Sequence, residues 1–295
     1  MDRRELEILF ERNASLVCEF EAFRDKPGGG ILRRSVGSGV FIAPCQVLTA
    51  KHVVMDMHNV NADWADDLRR EVSRYRMLPY FASASQIADI NRPNNNSVDW
   101  GLTNVWPNPV TDLALVQVAP IDDDAVQMMN NMRPLFPMWS LLPPPVGETV
   151  VMFGQPRDPA PLNTDVSDTL TYRGQPATVV ERHDRMKDRG MYSFPCFVVD
   201  HDVPHGMSGG PVFWKNKLCG IVSGGLGDRT VIAALWPACL IEFENPKLGT
   251  LSQKTTVQSL FETGQIRAED WNSVRGKISF EVVDGKHVAL LRPPL

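Results

Sequence analysis

The chain has 295 residues, of which 43% are hydrophobic and 22% charged, with a formal net charge of -5 and a sequence pI of about 5.7. That is ordinary globular composition, long enough for two compact units or one large all-β domain. The mild acidity excludes a phosphate-backbone binder, which needs clustered Lys and Arg, and no apolar run approaches the roughly 20 residues of a membrane span. Neither nucleic acid nor membrane is therefore an expected partner.

The N-terminus, Met1-Asp-Arg-Arg-Glu-Leu-Glu7, is charged and carries no signal-peptide pattern. The five cysteines (Cys18, Cys45, Cys196, Cys219 and Cys239) are odd in number and irregular in spacing, with no Cys-x-x-Cys. A disulfide framework or zinc site is not expected from them. Together these features predict reduced thiols and a cytoplasmic location.

In chain order, residues 2 to 12 predict a short helix and Ser15 to Phe23 a strand, followed by a turn at Lys26-Pro-Gly-Gly-Gly30. A second strand is expected over Arg33 to Ile42, broken by Pro44 and resumed at Val47 to Thr49. Residues 61 to 76 read as a helix capped by Asn61 or Asp63, whose basic run Asp67 to Arg76 is interspersed with acids and reads as a solvated face. Residues 81 to 108 are mixed, with a loop at Asn91 to Asn96, and Leu113 to Val118 is a strand. A connector spans 119 to 145 and holds a short helix capped within Asp122 to Asp124 and ending at Met129. The β pattern then returns at Glu148–Phe153, Thr169–Tyr172, Ala177–Val180, Cys196–Val199, Pro211–Trp214, Leu218–Val222 and Thr230–Leu235. Many short strands punctuated by Gly and Pro predict all-β barrels or sandwiches. The tail from about 246 holds a helix at Val257 to Thr263 and a polar end.

Three segments carry chemistry. In Gly206-Met-Ser208-Gly-Gly-Pro211, a nucleophilic serine would sit among glycines that let backbone N–H groups converge on an oxyanion. The following Pro211-Val-Phe-Trp214 is strand-like, so the order is loop, nucleophile, strand, unlike the strand–turn–helix of a nucleophile elbow. The plain alternative is a glycine-rich turn with an incidental serine. In the run Gly37-Ser-Gly-Val-Phe-Ile through Leu48-Thr-Ala-Lys-His52, two strands lead to a histidine, which taken alone would be an ordinary core or surface residue. In Thr111-Asp112-Leu-Ala-Leu-Val116, an Asp opens an apolar strand. Such a carboxylate either faces solvent or, if buried, needs a partner such as a histidine N–H.

Taken together, with Gly220-Ile-Val-Ser-Gly-Gly225, these runs resemble the trypsin-like (chymotrypsin-fold) serine proteases of bacterial intracellular type, over roughly residues 14 to 245. The order His, Asp, Ser separates that family from other folds with the same triad. The resemblance implies an all-β chain of two antiparallel six-stranded barrels. A helix would occupy 1–12, the first barrel 13–120 with the helical insertion near 61–76, a connector 121–145, the second barrel 146–245 and a C-terminal extension 246–295. It implies a serine endopeptidase without cofactor or metal, with His52, Asp112 and Ser208 as catalytic triad and the N–H groups of Gly206 and Ser208 as oxyanion hole. Ser223 would support Asp112, and Ser223, Gly224 and Gly225 would pair with a polypeptide substrate as an added strand.

The chain departs from the family pattern at Met207, where secreted relatives carry an Asp that pairs with a freshly cut N-terminus. Zymogen cleavage of that kind is therefore not expected, and control would fall to loops, extra segments or a regulatory protein partner. Asp202, six residues before Ser208, stands where trypsin-like enzymes read Arg or Lys. It either forms such a pocket, shaped by His201 and His205, or merely structures its loop. A metal role for the two histidines lacks a third ligand. The rival from another class is a catalytically silent binding or scaffold module.

Overall fold

The computed structural model describes residues 3–13, 16–25, 31–55, 76–79, 100–120, 123–132, 136–154, 156, 173–245, 253–283 and 286–292. A helix at Arg3–Asn13 precedes the sheets. The first six strands are β1 (Val17–Asp25), β2 (Ile31–Ala43), β3 (Gln46–Thr49), β4 (Arg76–Pro79), β5 (Trp100–Pro107) and β6 (Ala114–Pro120). They close into a barrel in the order β1-β2-β3-β6-β5-β4. Closure leaves no sheet edge open and turns alternate side chains inward. Phe20, Val40, Val47, Leu48, Trp100, Leu115 and Val116 of these strands have no exposure, so both faces of the barrel wall are covered. Gly39 of β2 is needed there, because a Cβ would stand 2.7 Å from both Phe20 and Val47 side chains. The helix expected over 61–76 falls mainly on residues outside the described set, and Arg76 itself opens β4. The loop expected at Asn91–Asn96 and the strand expected at Thr169–Tyr172 also lie outside the described residues.

A helix at Asp123–Met132 occupies the connector, three residues longer than the spacing predicts. After the two-residue strand β7 (Met138–Trp139) come β8 (Thr149–Gly154), β9 (Arg173–His183), β10 (Cys196–Val199), β11 (Pro211–Trp214), β12 (Lys217–Leu226) and β13 (Arg229–Ala234). Six of them pair in a ring: β8 with β9, β9 with β10, β10 with β13, β13 with β12, β12 with β11, and β11 back to β8. Lys215 and Asn216 join β11 to β12 with φ of 47° and 61°. Two consecutive left-handed residues are what a tight hairpin of matching twist requires. A second apolar cluster inside these strands contains Val150, Met152, Val179, Phe197, Val199, Val212, Cys219 and Ile232.

The C-terminal residues form β14 (Glu242–Asn245), β15 (Gln253–Thr256), a helix at Val257–Glu262, β16 (Arg267–Ala268), a helical turn at Trp271–Val274, and the hairpin β17 (Ile278–Val283) with β18 (Lys286–Leu291). The polar end expected from the sequence is thus a strand pair, with Val288 and Ala289 buried. β16 lies parallel to β7. Asp270 accepts the N–H groups of Leu141 (3.0 Å) and Leu142 (2.8 Å). The Phe261 ring meets Trp139 edge-on at 5.3 Å and stacks on Trp271 at 5.0 Å. Aromatic contacts of this kind stabilise beyond their buried area by about 0.5–1.5 kcal/mol each. The extension therefore shares one apolar core with the connector and the first barrel. Among the described residues no helix is long and apolar enough to cross a membrane.

Candidate active site

His52 sits in a helical turn at 51–55, directly after β3. Its neighbours fix the backbone: Val53 is fully buried, and the Val53 N–H donates to the Ala50 carbonyl at 3.2 Å. Asp112 lies in the bend before β6, and its backbone carbonyl accepts the Lys51 N–H at 3.2 Å. Pairing of β3 with β6, in register at Thr49 and Ala114, brings the two segments together.

The carboxylate of Asp112 is held by three donors. The His52 backbone N–H reaches Oδ1 at 2.9 Å, the His52 ring Nδ1 reaches Oδ2 at 2.8 Å, and the Ser223 hydroxyl donates to Oδ2 at 2.5 Å. The Asp112 side chain is 15% exposed against 37% for His52. A carboxylate this far withdrawn from water needs hydrogen-bond donors to offset its lost hydration. Asp112 is thus half-buried and partnered rather than facing solvent.

Ser208 enters from the loop before β11. The Ser208 carbonyl accepts the Ser38 N–H at 2.7 Å, and the next residue, Gly209, donates its N–H to the Val222 carbonyl at 2.8 Å. Gly209 has a φ of +82°, and a Cβ on it would lie 2.1 Å from the Ser38 carbonyl oxygen and 2.2 Å from Thr49 Oγ1. Only glycine permits both that backbone conformation and that approach. Gly37 links the two halves of the site, since a Cβ there would meet the Val53 side chain at 2.6 Å and the Ser208 carbonyl oxygen at 2.8 Å. The residue after His52 and the backbone of Ser208 thus meet on one glycine.

Gly206 has a φ of +93°. Its carbonyl accepts the Ser38 hydroxyl at 2.9 Å, while Thr49 Oγ1 donates to the Ser38 carbonyl at 2.7 Å. Ser38 and Thr49 are fully buried. Together they lock the orientation of the Gly206 unit, a role that the small residues of Gly37-Ser-Gly39 do not reveal in sequence. Met207 is fully buried in the second apolar cluster, so its side chain points into a core and away from any charge.

The remaining predicted residues border the β12 segment. Ser223 touches Asp112 as described, and Gly224 and Gly225 continue β12 opposite Val231 and Thr230. Asp202 is exposed, with Oδ1 lying 3.4 Å from where a Gly225 Cβ would stand. His205 is exposed, and His201 contributes its carbonyl to the Thr230 hydroxyl at 2.6 Å.

Tyr192 was not foreseen. Its hydroxyl donates to the Gly225 carbonyl at 2.9 Å, and its side chain is buried against Phe194. Burial raises its pKa above the usual tyrosine value, and the negative charge of Asp112 adds to that, so the phenol stays a donor. No spacing rule connects a tyrosine before β10 to a glycine in β12. We expect Tyr192→Phe to raise KM several-fold for peptides that extend along residues 223–225 and to leave KM for short esters unchanged. A fall in kcat alone would contradict a role in holding that strand.

None of the five cysteines is in a disulfide, and the Cys45 thiol donates to Met129 Sδ at 3.1 Å. Burial raises the Cys196 pKa to about 12, and it raises those of Cys18, Cys219 and Cys239 as well. Those four thiols are inert core groups.

A search of curated proteins finds no match. Among solved structures, the Rv3671c protease of M. tuberculosis in its active form aligns at 17% identity over 79% of this chain and 82% of that one, with a TM-score of 0.49. Its inactive form aligns at 15% identity over 79% and 90%, with a TM-score of 0.47. Neuropsin, a serine protease of mouse brain, aligns at 14% identity over 77% and 92%, with a TM-score of 0.46. The profile of the trypsin-like peptidase domain family matches residues 37–221, which contain His52, Asp112 and Ser208 and make up more than half of the chain. The chain belongs to the trypsin-like peptidases, and it is a serine protease of mostly β, chymotrypsin-like fold.

Proposed function

We propose that the protein is an endopeptidase that cleaves polypeptides through an acyl-enzyme on Ser208. The observation that carries this reading is the Asp112 carboxylate, which binds His52 Nδ1 at 2.8 Å and is pinned by Ser223 and the His52 N–H. With Nδ1 donating to Asp112, the other ring nitrogen, Nε2, accepts the proton of Ser208 as Oγ attacks the scissile carbonyl. The C=O π electrons move onto oxygen, and the Gly206 and Ser208 N–H groups stabilise that oxyanion, an effect of about 3–4 kcal/mol per donor. Collapse breaks the C–N bond, and His52 returns its proton to the leaving amine. Water then repeats the cycle on the ester and releases the acid. The chain, the peptide and water supply every proton and electron pair. The substrate backbone pairs with residues 223–225, and Asp202 and His205 line its approach.

Control by a protein partner or by loop rearrangement, in a cytoplasmic setting, is the companion proposal. Met207 supports it, because a thioether buried in the second cluster offers nothing to a new N-terminal ammonium. The silent-scaffold alternative gains nothing from a carboxylate held so closely to a histidine. Reaction with a fluorophosphonate probe separates the two readings. Labelling that peptide mapping assigns to Ser208, and that is absent from Ser208→Ala, is the expected result. Absence of labelling from the wild type would mean that the isolated chain holds no assembled site, and labelling regained with an added partner would then separate a latent enzyme from the scaffold.

A further inference from the structure

Asn108 is a fully buried polar residue four positions before Asp112, and it uses every hydrogen-bonding group it has. Its Oδ1 accepts the N–H groups of Val110 (3.0 Å) and Thr111 (3.1 Å). Its Nδ2 donates to the carbonyl of Pro237 at 2.8 Å. Its backbone N–H donates to the Leu113 carbonyl at 2.8 Å, and its own carbonyl accepts Lys51 Nζ at 3.2 Å.

Each of these bonds constrains Asp112 from a different side. Asn at the first position of a turn and Pro109 at the second pre-set a tight reversal, and the side-chain oxygen fastens it. The bond between Asn108 N–H and Leu113 O closes the loop around Asp112. Lys51, whose N–H binds the Asp112 carbonyl, is tied by its side chain to the same asparagine. Pro237 belongs to the buried 3-10 turn Trp236–Leu240 that follows β13, so Nδ2 also fixes the Asp112 loop against the second half of the molecule, which carries Ser208 and Ser223.

We infer that Asn108 is a positioning residue for catalysis, setting the Asp112 carboxylate against both His52 and Ser223. This rests on the triad roles proposed above. A buried side chain that makes three hydrogen bonds is also structural, so the test must separate placement from stability. Misplacement of a catalytic group by about 1 Å costs on the order of 100-fold. Asn108→Ala removes the turn clasp and the bond to Pro237, and it should lower kcat by about 10- to 100-fold with KM held within about twofold. Asn108→Ser keeps a hydroxyl able to clasp the turn but too short to reach Pro237, and it should recover part of that loss. Leu16→Ala, a core truncation in the first barrel, serves as the stability control and should keep the wild-type kcat at temperatures where it is folded.

The second readout needs no substrate. In protein labelled with ¹⁵N-imidazole histidine, the His52 Nδ1 proton shared with Asp112 at 2.8 Å should give a downfield resonance. It should shift or broaden in Asn108→Ala, move less in Asn108→Ser, and stay in place in Leu16→Ala. If Asn108→Ala does not fold, the Asn108→Ser comparison carries the same signs. Should the wild type fail to react with the probe, the site is not assembled in the isolated chain, while the resonance still reports on Asn108. Wild-type kcat together with an unmoved His52 resonance in the Asn108 variants would overturn the inference.

Discussion

Ser208→Ala should lower peptide hydrolysis by about a millionfold, to the level left by binding and the oxyanion donors alone. The size of the loss follows from what the serine supplies. Without Oγ there is no acyl-enzyme, and water must attack a carbonyl that the site is shaped to present to residue 208. The backbone bonds that hold this residue, Ser38 N–H to Ser208 O and Gly209 N–H to Val222 O, involve no side chain at 208. The variant should therefore fold and melt like the wild type, and a lost melting transition would show that the activity loss has another origin. Steady-state hydrolysis of a fluorogenic peptide, with active-site titration of the wild type, measures the ratio. Retention of more than about one per cent of activity would remove Ser208 from the mechanism.

Asp112→Asn should cost about 10⁴-fold in kcat, and the reason can be read from its three hydrogen bonds. Oδ1 faces a backbone N–H, which can only donate, so the new amide must keep its oxygen there. The NH₂ group is then forced to the Oδ2 side, towards His52 Nδ1 and the Ser223 hydroxyl. Both of those partners can reverse roles: the hydroxyl rotates to accept, and the imidazole moves its proton to Nε2. Geometry survives, but the ring now presents a donor to Ser208 in place of an acceptor. Two measurements check this. The pH dependence of kcat should show activity partly restored at high pH, where deprotonation substitutes for the missing base. The ¹⁵N shifts of His52 should report the proton on Nε2. A neutral His52 still protonated on Nδ1 in the variant would contradict the account.

The candidate site was legible in sequence because each of its three residues is embedded in a short segment whose pattern survives without its partners: glycines around Ser208, small residues before His52, and an apolar strand after Asp112. Strands such as Cys196–Val199 and Pro211–Trp214 were readable to the residue because they are short, wholly apolar and bounded by turn formers. What escaped was set by pairing between distant segments. Tyr192 reaches Gly225, and Asn108 reaches Pro237, across separations of 33 and 129 residues that leave no periodicity to detect. The hairpin of β17 and β18 is a different case. Asp284-Gly285 between two alternating runs is a hairpin signal, but the Lys, Glu and Asp residues among them made the stretch look merely polar. The parallel pairing of β16 with β7 involves two residues on each strand, too short for any strand pattern.

The wiring of Ser208 has a consequence for the life of the chain before it is finished. Its carbonyl hangs on Ser38, a residue made early, and its loop hangs on Val222, made late. As the ribosome releases the protein from the N-terminus, a folded first barrel holds His52 and Asp112 with nothing to activate. The nucleophile is seated only when the strand after it has emerged and the two halves have met. The order of synthesis thus acts as a timer. Under the proposed mechanism, a fragment truncated before residue 222 lacks the carbonyl that holds the loop after Ser208 and should be inactive.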